Sequence, residues 1–301
     1  NIGSLCIDRV YKVPKIATQG ETVTSGSWAT FSGGKGLNQS IAAAKAGATV
    51  EHVGCVGADG DSLIAELGKA GISSRFVKVG VAPSGHAVIQ VDEEGRNSIV
   101  ISAGANRELD SGLIQDAILR LEDTDWLLLQ NETNGIAEAI ELAAQKGKKV
   151  AINIAPADER MFDYPLSKVA LIIVNELEAM ALSSKSSPQL AFDSLIEAYP
   201  EIDIVLTLGE EGVWSYRARD SARKGMASFK IDATDETAAG DSFIGYLMAT
   251  LVAGRDLHES ITLASAAGAL ATTKAGAVDS IPSLDAVKTL AGEQELKTLD
   301  L

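Results

Sequence analysis

The densest chemistry in the chain lies in Asp235-Glu236-Thr237-Ala238-Ala239-Gly240-Asp241-Ser242-Phe243, which joins a β-like stretch to a strongly apolar helix. Small residues ahead of a helix start let backbone N–H groups converge on an anion, and the helix dipole adds positive potential there. The spacing predicts an amide pocket at Ala238, Ala239 and Gly240, with the Asp241 carboxylate beside it. A carboxylate so placed can take a proton from an attacking hydroxyl while the amides stabilise charge on a transferring phosphoryl group. Alone, the segment reads equally well as an N-capped helix with close packing. A second cluster, Gly33-Gly34-Lys35-Gly36-Leu37-Asn38-Gln39, also enters a helix. It lacks the spacing and final Ser/Thr of a P-loop, and it is not expected to follow a strand as a dinucleotide fingerprint must. Its glycines would admit a hydroxylated ligand close to the backbone, with Lys35 and Asn38 supplying hydrogen bonds, unless the cluster is a plain glycine turn.

The elements that would position these segments show in the hydrophobic pattern. From about residue 126, short apolar runs at Trp126–Leu129, Val150–Ile154, Leu171–Val174 and Ile204–Leu208 alternate with helical patterns, the rhythm of a mostly parallel sheet covered by helices. Polar or turn residues follow each run at once: Gln130-Asn131-Glu132, Ala155-Pro156, Asn175-Glu176 and Gly209-Glu210. Ligands of open parallel sheets bind outside the carboxyl ends of the strands, so these residues are placed for function. Helices are expected with Leu37, Ile41, Ala44 and Ala48 on one face, over Phe243–Ala253, and over about Leu257–Lys274. His86–Asp92 and Asn97–Ser102 read as a hairpin, and Thr22–Phe31 is rich in β-formers. The expectation is one α/β domain over 1–301 with a small β-sheet inserted through segments at about 9–32 and 84–102.

Composition narrows the classes. A chain of 301 residues can bury a core without disulfides or structural metals. No apolar run approaches the ~18–20 residues of a membrane-spanning helix, so no membrane partner is expected. The 26 basic against 41 acidic residues give −15, with no basic patch interleaved with aromatics, which argues against nucleic acid. Such a protein must create positive potential locally to hold an anion, through helix starts, a metal or single lysines. The cysteines, Cys6 and Cys55, form no CxxC pair, and the opening Ile2-Gly3-Ser4-Leu5 has no signal-peptide character, so a cytoplasmic setting is expected. Cys55 reads as a buried strand residue, and His52, His86 and His258 are too scattered to suggest a catalytic role.

Taken in order, these segments resemble the signatures of the ribokinase, or PfkB-type, family of sugar kinases across nearly the whole chain. The likeness rests on Gly3-Ser4 with Asp8, Gly33 to Gln39, Gly104-Ala105-Asn106, Gln130-Asn131-Glu132, Asn153 to Ala157, Asn175-Glu176-Leu177-Glu178, Thr207-Leu208-Gly209 and Ala238 to Asp241. It implies a three-layer α/β/α domain with a mostly parallel sheet and a β-sheet lid. It also implies ATP and Mg²⁺ as cofactors, with K⁺ beside the anion hole, and a homodimer through paired lids. Asp8, Gly34, Lys35, Asn38 and Glu132 would hold sugar hydroxyls, with Asp241 as base beside Ala238, Ala239 and Gly240. Asn175 and Glu178 would organise Mg²⁺ and phosphate, Glu178 through water, although without the resemblance they read as a solvated helix start. Thr207, Gly209 and Gly240 would lie along the nucleotide. Asp235, Thr237 and Ser280 match the monovalent-cation positions, with Lys274, Gly276 and Ala277 in the later loop.

The chain departs from the family pattern at three places. Glu236 stands where Thr is usual, Lys274-Ala275 where an Arg-Lys pair is common, and Cys6 where Asn is common. A thiol is a weak donor and acceptor, so Cys6 bears on which sugar fits. The leading expectation is phosphorylation of ribose. A 2-keto-3-deoxygluconate, fructose or nucleoside kinase is the alternative within the class, and a non-catalytic sugar-binding or regulatory protein the alternative outside it. A nicotinamide-dependent oxidoreductase would need a glycine fingerprint near the N-terminus that the sequence lacks.

Overall fold

In the computed structural model, which describes residues 1–294 and 296–299, the chain starts in the middle of the main sheet. There Ile2 bridges in parallel to Val53 on one side and to Leu129 on the other. The chain then leaves the core through β1 (Cys6–Lys12), returns as β2 (Ser27–Gly33) and drops into α1 (Lys35–Lys45). A β3 (Glu51–Val56), α2 (Asp61–Lys69), β4 (Ser73–Val79) unit follows, then the hairpin of β5 (Gly85–Val91) and β6 (Asn97–Ser102). After α3 (Ser111–Ile118) come β7 (Trp126–Gln130), α4 (Ile136–Gln145), β8 (Lys149–Asn153), β9 (Leu171–Asn175), α5 (Glu176–Ser183), α6 (Pro188–Ala198) and β10 (Asp203–Thr207). The chain closes with β11 (Val213–Arg217), β12 (Ala222–Met226), α7 (Ala239–Val252), α8 (Leu257–Ala271), α9 (Leu284–Glu293) and β13 (Thr298–Leu299).

The main sheet runs β13-β12-β11-β10-β9-β8-β7 and is carried on by Ile2 to β3-β4. Strands β7 to β10 are parallel, and β11 to β13 form an antiparallel edge. Because successive side chains of a strand point to opposite faces, each buried run feeds two cores. Ile172 and Val174 of β9 join Ile114, Ile140 and Phe192 from α3, α4 and α6. Leu171 and Ile173 join Leu37, Ile41, Tyr246, Leu247 and Ile261 from α1, α7 and α8. The result is the expected three-layer α/β/α arrangement with a mostly parallel sheet. Fully burying each Leu or Ile contributes about 1.5–3 kcal/mol.

A separate sheet, β2-β1-β5-β6, brings Asp8 within reach of Glu132, which follows the carboxyl end of β7, and of Asp241 at the start of α7. Cys6 and Asp8 lie on its strand β1, opposite Gly33 and Phe31. The Gly33–Gln39 cluster therefore does follow a strand, contrary to its sequence reading. That strand is the antiparallel edge β2, whose largely exposed residues give no apolar run to read. A dinucleotide fingerprint would instead follow a parallel core strand.

Candidate active site

Strand register sets a row of polar residues along one edge of the main sheet. Gln130 ends β7 opposite Asn153, the last residue of β8, and Asn175 ends β9 opposite Thr207, the last of β10. Two helices begin above this row, α1 at Lys35 and α7 at Ala239, and both lack a side-chain cap. They pack closely because α7 carries Gly245, where a Cβ would come within 2.3 Å of Ala42 Cβ and 2.8 Å of Gln39 O. The first turn of α1 thus lies against the first turn of α7. Asn38 Nδ2 donates to Asp241 Oδ2 and Gln39 Nε2 to Asp241 Oδ1, both at 2.9 Å.

Ala238 takes a left-handed φ of 59°, an uncommon conformation for a residue with a Cβ, and it turns the chain into α7. The Ala239 N–H donates to Glu236 O at 3.2 Å and that of Ser242 to Ala238 O at 2.8 Å. Among the described residues the N–H groups of Gly240 and Asp241 take no acceptor, which leaves two amides at a helix N-terminus beside a carboxylate.

Across from Asp241 lies a charged pocket. Gly34 has φ 97°, and a Cβ on Gly33 would sit 2.2 Å from Asp8 Oδ2, so this turn admits only glycine beside β1. Glu132 Oε2 accepts from the Lys35 N–H at 3.1 Å and from Ser4 Oγ, whose oxygen in turn accepts the Gly36 N–H at 3.2 Å. Burial, reinforced by the charges of Glu132 and Asp241, pushes the Asp8 carboxyl up to about 6. Burial also raises Glu132, against the pull of Lys35 and Ser4. Burial alone would lower the Lys35 ammonium, but Asp241, Glu132 and Glu178 outweigh it and hold Lys35 above its usual range. A single cation thus faces several carboxylates in a confined space, a setting typical of functional sites. Burial and then Glu132 and Asp8 raise the Cys6 thiol well out of the ionising range, and Asn106 Nδ2 lies 3.4 Å from its Sγ.

Asn175 and Glu178 form a reciprocal cap on α5: Asn175 Oδ1 accepts the Glu178 N–H, and Glu178 Oε2 accepts the Asn175 N–H, each at 2.9 Å. Burial raises Glu178 despite that bond. Thr207 Oγ1 lies 3.5 Å from Val174 O, and Gly209 turns the chain after β10 with φ 54°. No group of three His, Cys, Asp or Glu side chains able to cage a metal occurs among the described residues. The Asp235 carboxylate accepts from Thr237 N at 2.9 Å, Thr237 Oγ1 at 2.6 Å and Gly276 N at 3.0 Å. It thereby ties the loop before α7 to the loop after α8. Burial would raise it, but these bonds hold it below the ordinary range. Ser280 Oγ donates to Ala277 O at 2.8 Å and approaches Thr237 O at 3.4 Å, while Lys274 Nζ donates to Asp279 O at 2.8 Å.

Asp8, Lys35, Asn38, Glu132, Glu178 and Asp241 are thus coupled through bonds or charge. Asp235, Thr237 and Ser280 form a neighbouring group, and Thr207 and Gly209 lie further along the strand ends. Ser4, Gln39, Gln130 and Asn106 were not singled out as site residues from the sequence. All four lie within segments quoted for the resemblance, and Gln130 is among the strand-end residues placed for function, but none carried a role of its own.

Residues 1–284 match the pfkB family of carbohydrate kinases, and the chain belongs to that family. It is therefore a phosphotransferase with an alcohol acceptor. It is 34% identical over 296 residues to a ribokinase from Haemophilus influenzae, covering 94% of each chain. The crystal structure of ribokinase from Thermotoga maritima superposes with a TM-score of 0.85 at 32% identity, over 97% of this chain and 98% of that one. Ribokinase from Cryptococcus neoformans in complex with ADP gives 0.84 at 29%, over 96% and 98%.

Proposed function

We propose that the chain transfers the γ-phosphoryl group of MgATP to the terminal hydroxyl of ribose, giving ribose 5-phosphate and ADP. The observation that carries this reading is the Asp241 carboxylate, fixed by two amide donors beside the free N–H groups of Gly240 and Asp241 and facing the Asp8–Lys35–Glu132 pocket. The ribokinase relatives support ribose as the acceptor. Asp8, Glu132 and the amide of Asn38 hold the sugar hydroxyls with Lys35 and the Gly34 turn. Asn38 Oδ1 is buried without a partner, an acceptor suited to a hydroxyl of the bound sugar.

Asp241 takes the hydroxyl proton as the sugar oxygen bonds to the γ-phosphorus. The bond from that phosphorus to the bridging oxygen breaks, and ADP leaves with the electron pair. The free amides of Gly240 and Asp241, with Lys35, meet the charge on the phosphoryl oxygens, whereas the Ala239 N–H expected to join Ala238 and Gly240 there is taken up by Glu236 O. Thr207 and Gly209 lie along the nucleotide. Mg²⁺ fits a setting without a protein cage: it would be held by phosphates and water, facing Glu178 and Asn175, and would neutralise phosphate charge. K⁺ would be met by loop carbonyls and the Ser280 hydroxyl near Thr237, since the Asp235 carboxylate is taken up in tying the loops. The chain acts as one kinase domain over 1–301 with the β-sheet as its lid, paired with a second copy. The buried free thiols Cys6 and Cys55 support a reducing, cytoplasmic setting.

Coupled ADP release over ribose, 2-deoxyribose, fructose, 2-keto-3-deoxygluconate and adenosine, run in K⁺ and in a bulky organic cation, tests this reading. Ribose should give the highest kcat/KM, with faster turnover in K⁺. If another sugar is preferred, Cys6→Asn should raise kcat/KM for ribose more than for that sugar. No sugar-dependent ADP release would overturn the kinase reading, and equal rates in both salts would remove the ion.

A further inference from the structure

The base is held by a chain of buried side-chain amides that reaches beyond the pocket. Asn153 Nδ2 donates to the Ile173 carbonyl at 3.2 Å, which only an N–H can do, so Asn153 Oδ1 must face Gln39. Gln39 Nε2 meets it at 3.2 Å and donates to Asp241 Oδ1 at 2.9 Å. That leaves Gln39 Oε1 as an acceptor, and Gln130 Nε2 donates to it at 2.7 Å. Amide orientations are otherwise ambiguous, but here each is fixed by its neighbour, starting from a group that can only accept. Gln39 and Gln130 are completely buried, and Asn153 and Asp241 nearly so.

We propose that Gln39, locked by Gln130 and Asn153, is a positioning residue for the reaction: it presents a donor to Asp241 Oδ1 and thereby holds the carboxylate in one rotamer. With Asn38 donating to Oδ2, each carboxylate oxygen has one lone pair committed to an amide, and the other remains for the sugar hydroxyl proton. This rests on Asp241 being the base. It makes Gln39 act through Asp241, not on the sugar. A fixed rotamer aims the remaining lone pair at the hydroxyl and avoids reorientation during transfer.

Steady-state kinetics on Gln39→Met, Gln130→Met, Asp241→Asn and the Gln39→Met/Asp241→Asn double variant, with kcat and both KM values resolved separately, tests the proposal. Gln39→Met keeps side-chain length and removes the donor. It should lower kcat about tenfold and leave both KM values within about threefold, because it removes an orientation that matters only at the transfer step. Gln130→Met, one link removed, should lower kcat by less, again at near-constant KM, and it stands in if Gln39→Met does not fold. In the Asp241→Asn background Gln39→Met should cost nothing further. An unchanged kcat in both single variants, or a loss carried by KM, with Asp241→Asn inactive, would overturn the positioning role and leave the base standing. An active Asp241→Asn would overturn the base itself.

Discussion

Asp8 shares its pocket with Glu132 and Asp241, and burial plus those charges push its carboxyl up to about 6. With the folded value above the ordinary one, the folded protein binds the proton more tightly than the unfolded chain. The resulting stability is present at low pH and is lost as pH rises toward about 6. Sugar binding runs the other way, because an ionised Asp8 accepts hydroxyl hydrogens on both oxygens. The KM for the sugar should rise as pH falls below about 6, by about tenfold per unit at the limit, and Asp8→Asn should flatten that dependence while raising KM throughout. A wild-type KM independent of pH from about 7 to about 5 would show that Asp8 does not carry this role. Residues such as Asp241, Lys35 and Glu132 were legible in the sequence because a charged side chain beside a glycine turn or strand end is conspicuous. Ser4 and Gln39 were not, since Ser4 matters only once the opening segment lies beside α1, and Gln39 only once α1 touches α7.

Helices α1 and α7 are the elements on which the site depends, and Gly245 sets how closely they approach. A Cβ there would lie 2.7 Å from the Ala43 backbone nitrogen, an atom of a helix that cannot rotate away. Gly245→Ala should therefore destabilise the fold by about 1–3 kcal/mol in urea denaturation. It should also lower kcat at saturating substrates, since Asn38 and Gln39 would be moved from Asp241; unchanged stability and kcat would contradict the close-packing account. The parallel strands β7 to β10 were readable within a residue because each is an uninterrupted buried run. Strand β2 was harder: β-formers begin at Thr22, yet pairing begins only at Ser27, because its partner β1 ends at Lys12 just before Val13-Pro14. The β11–β12 hairpin escaped notice because Ser215 interrupts the apolar residues of β11, and Arg223 and Lys224 interrupt β12.

At the scale of the whole molecule, a chain of net charge −15 that handles a polyanionic nucleotide must confine its positive potential, and Lys35 with two helix starts does so. The lid adds an unfinished surface. Phe31, Ile99 and Ile101 are exposed on the face that carries Asp8, in register with Val10, Ala87 and Ile89. A contiguous apolar sheet face of this kind is normally covered. Sedimentation should give two copies per particle, and Ile101→Asp should dissociate them and raise the sugar KM; a wild-type monomer would refute pairing through the lid. Whether all these parts serve one proton transfer is tested most directly by Asp241→Asn, with kcat and the dissociation constants of sugar and nucleotide measured together. Turnover should fall by about 10²–10⁴ with both ligands still bound at near wild-type affinity. Turnover preserved, or lost only because a ligand no longer binds, would contradict Asp241 as the base.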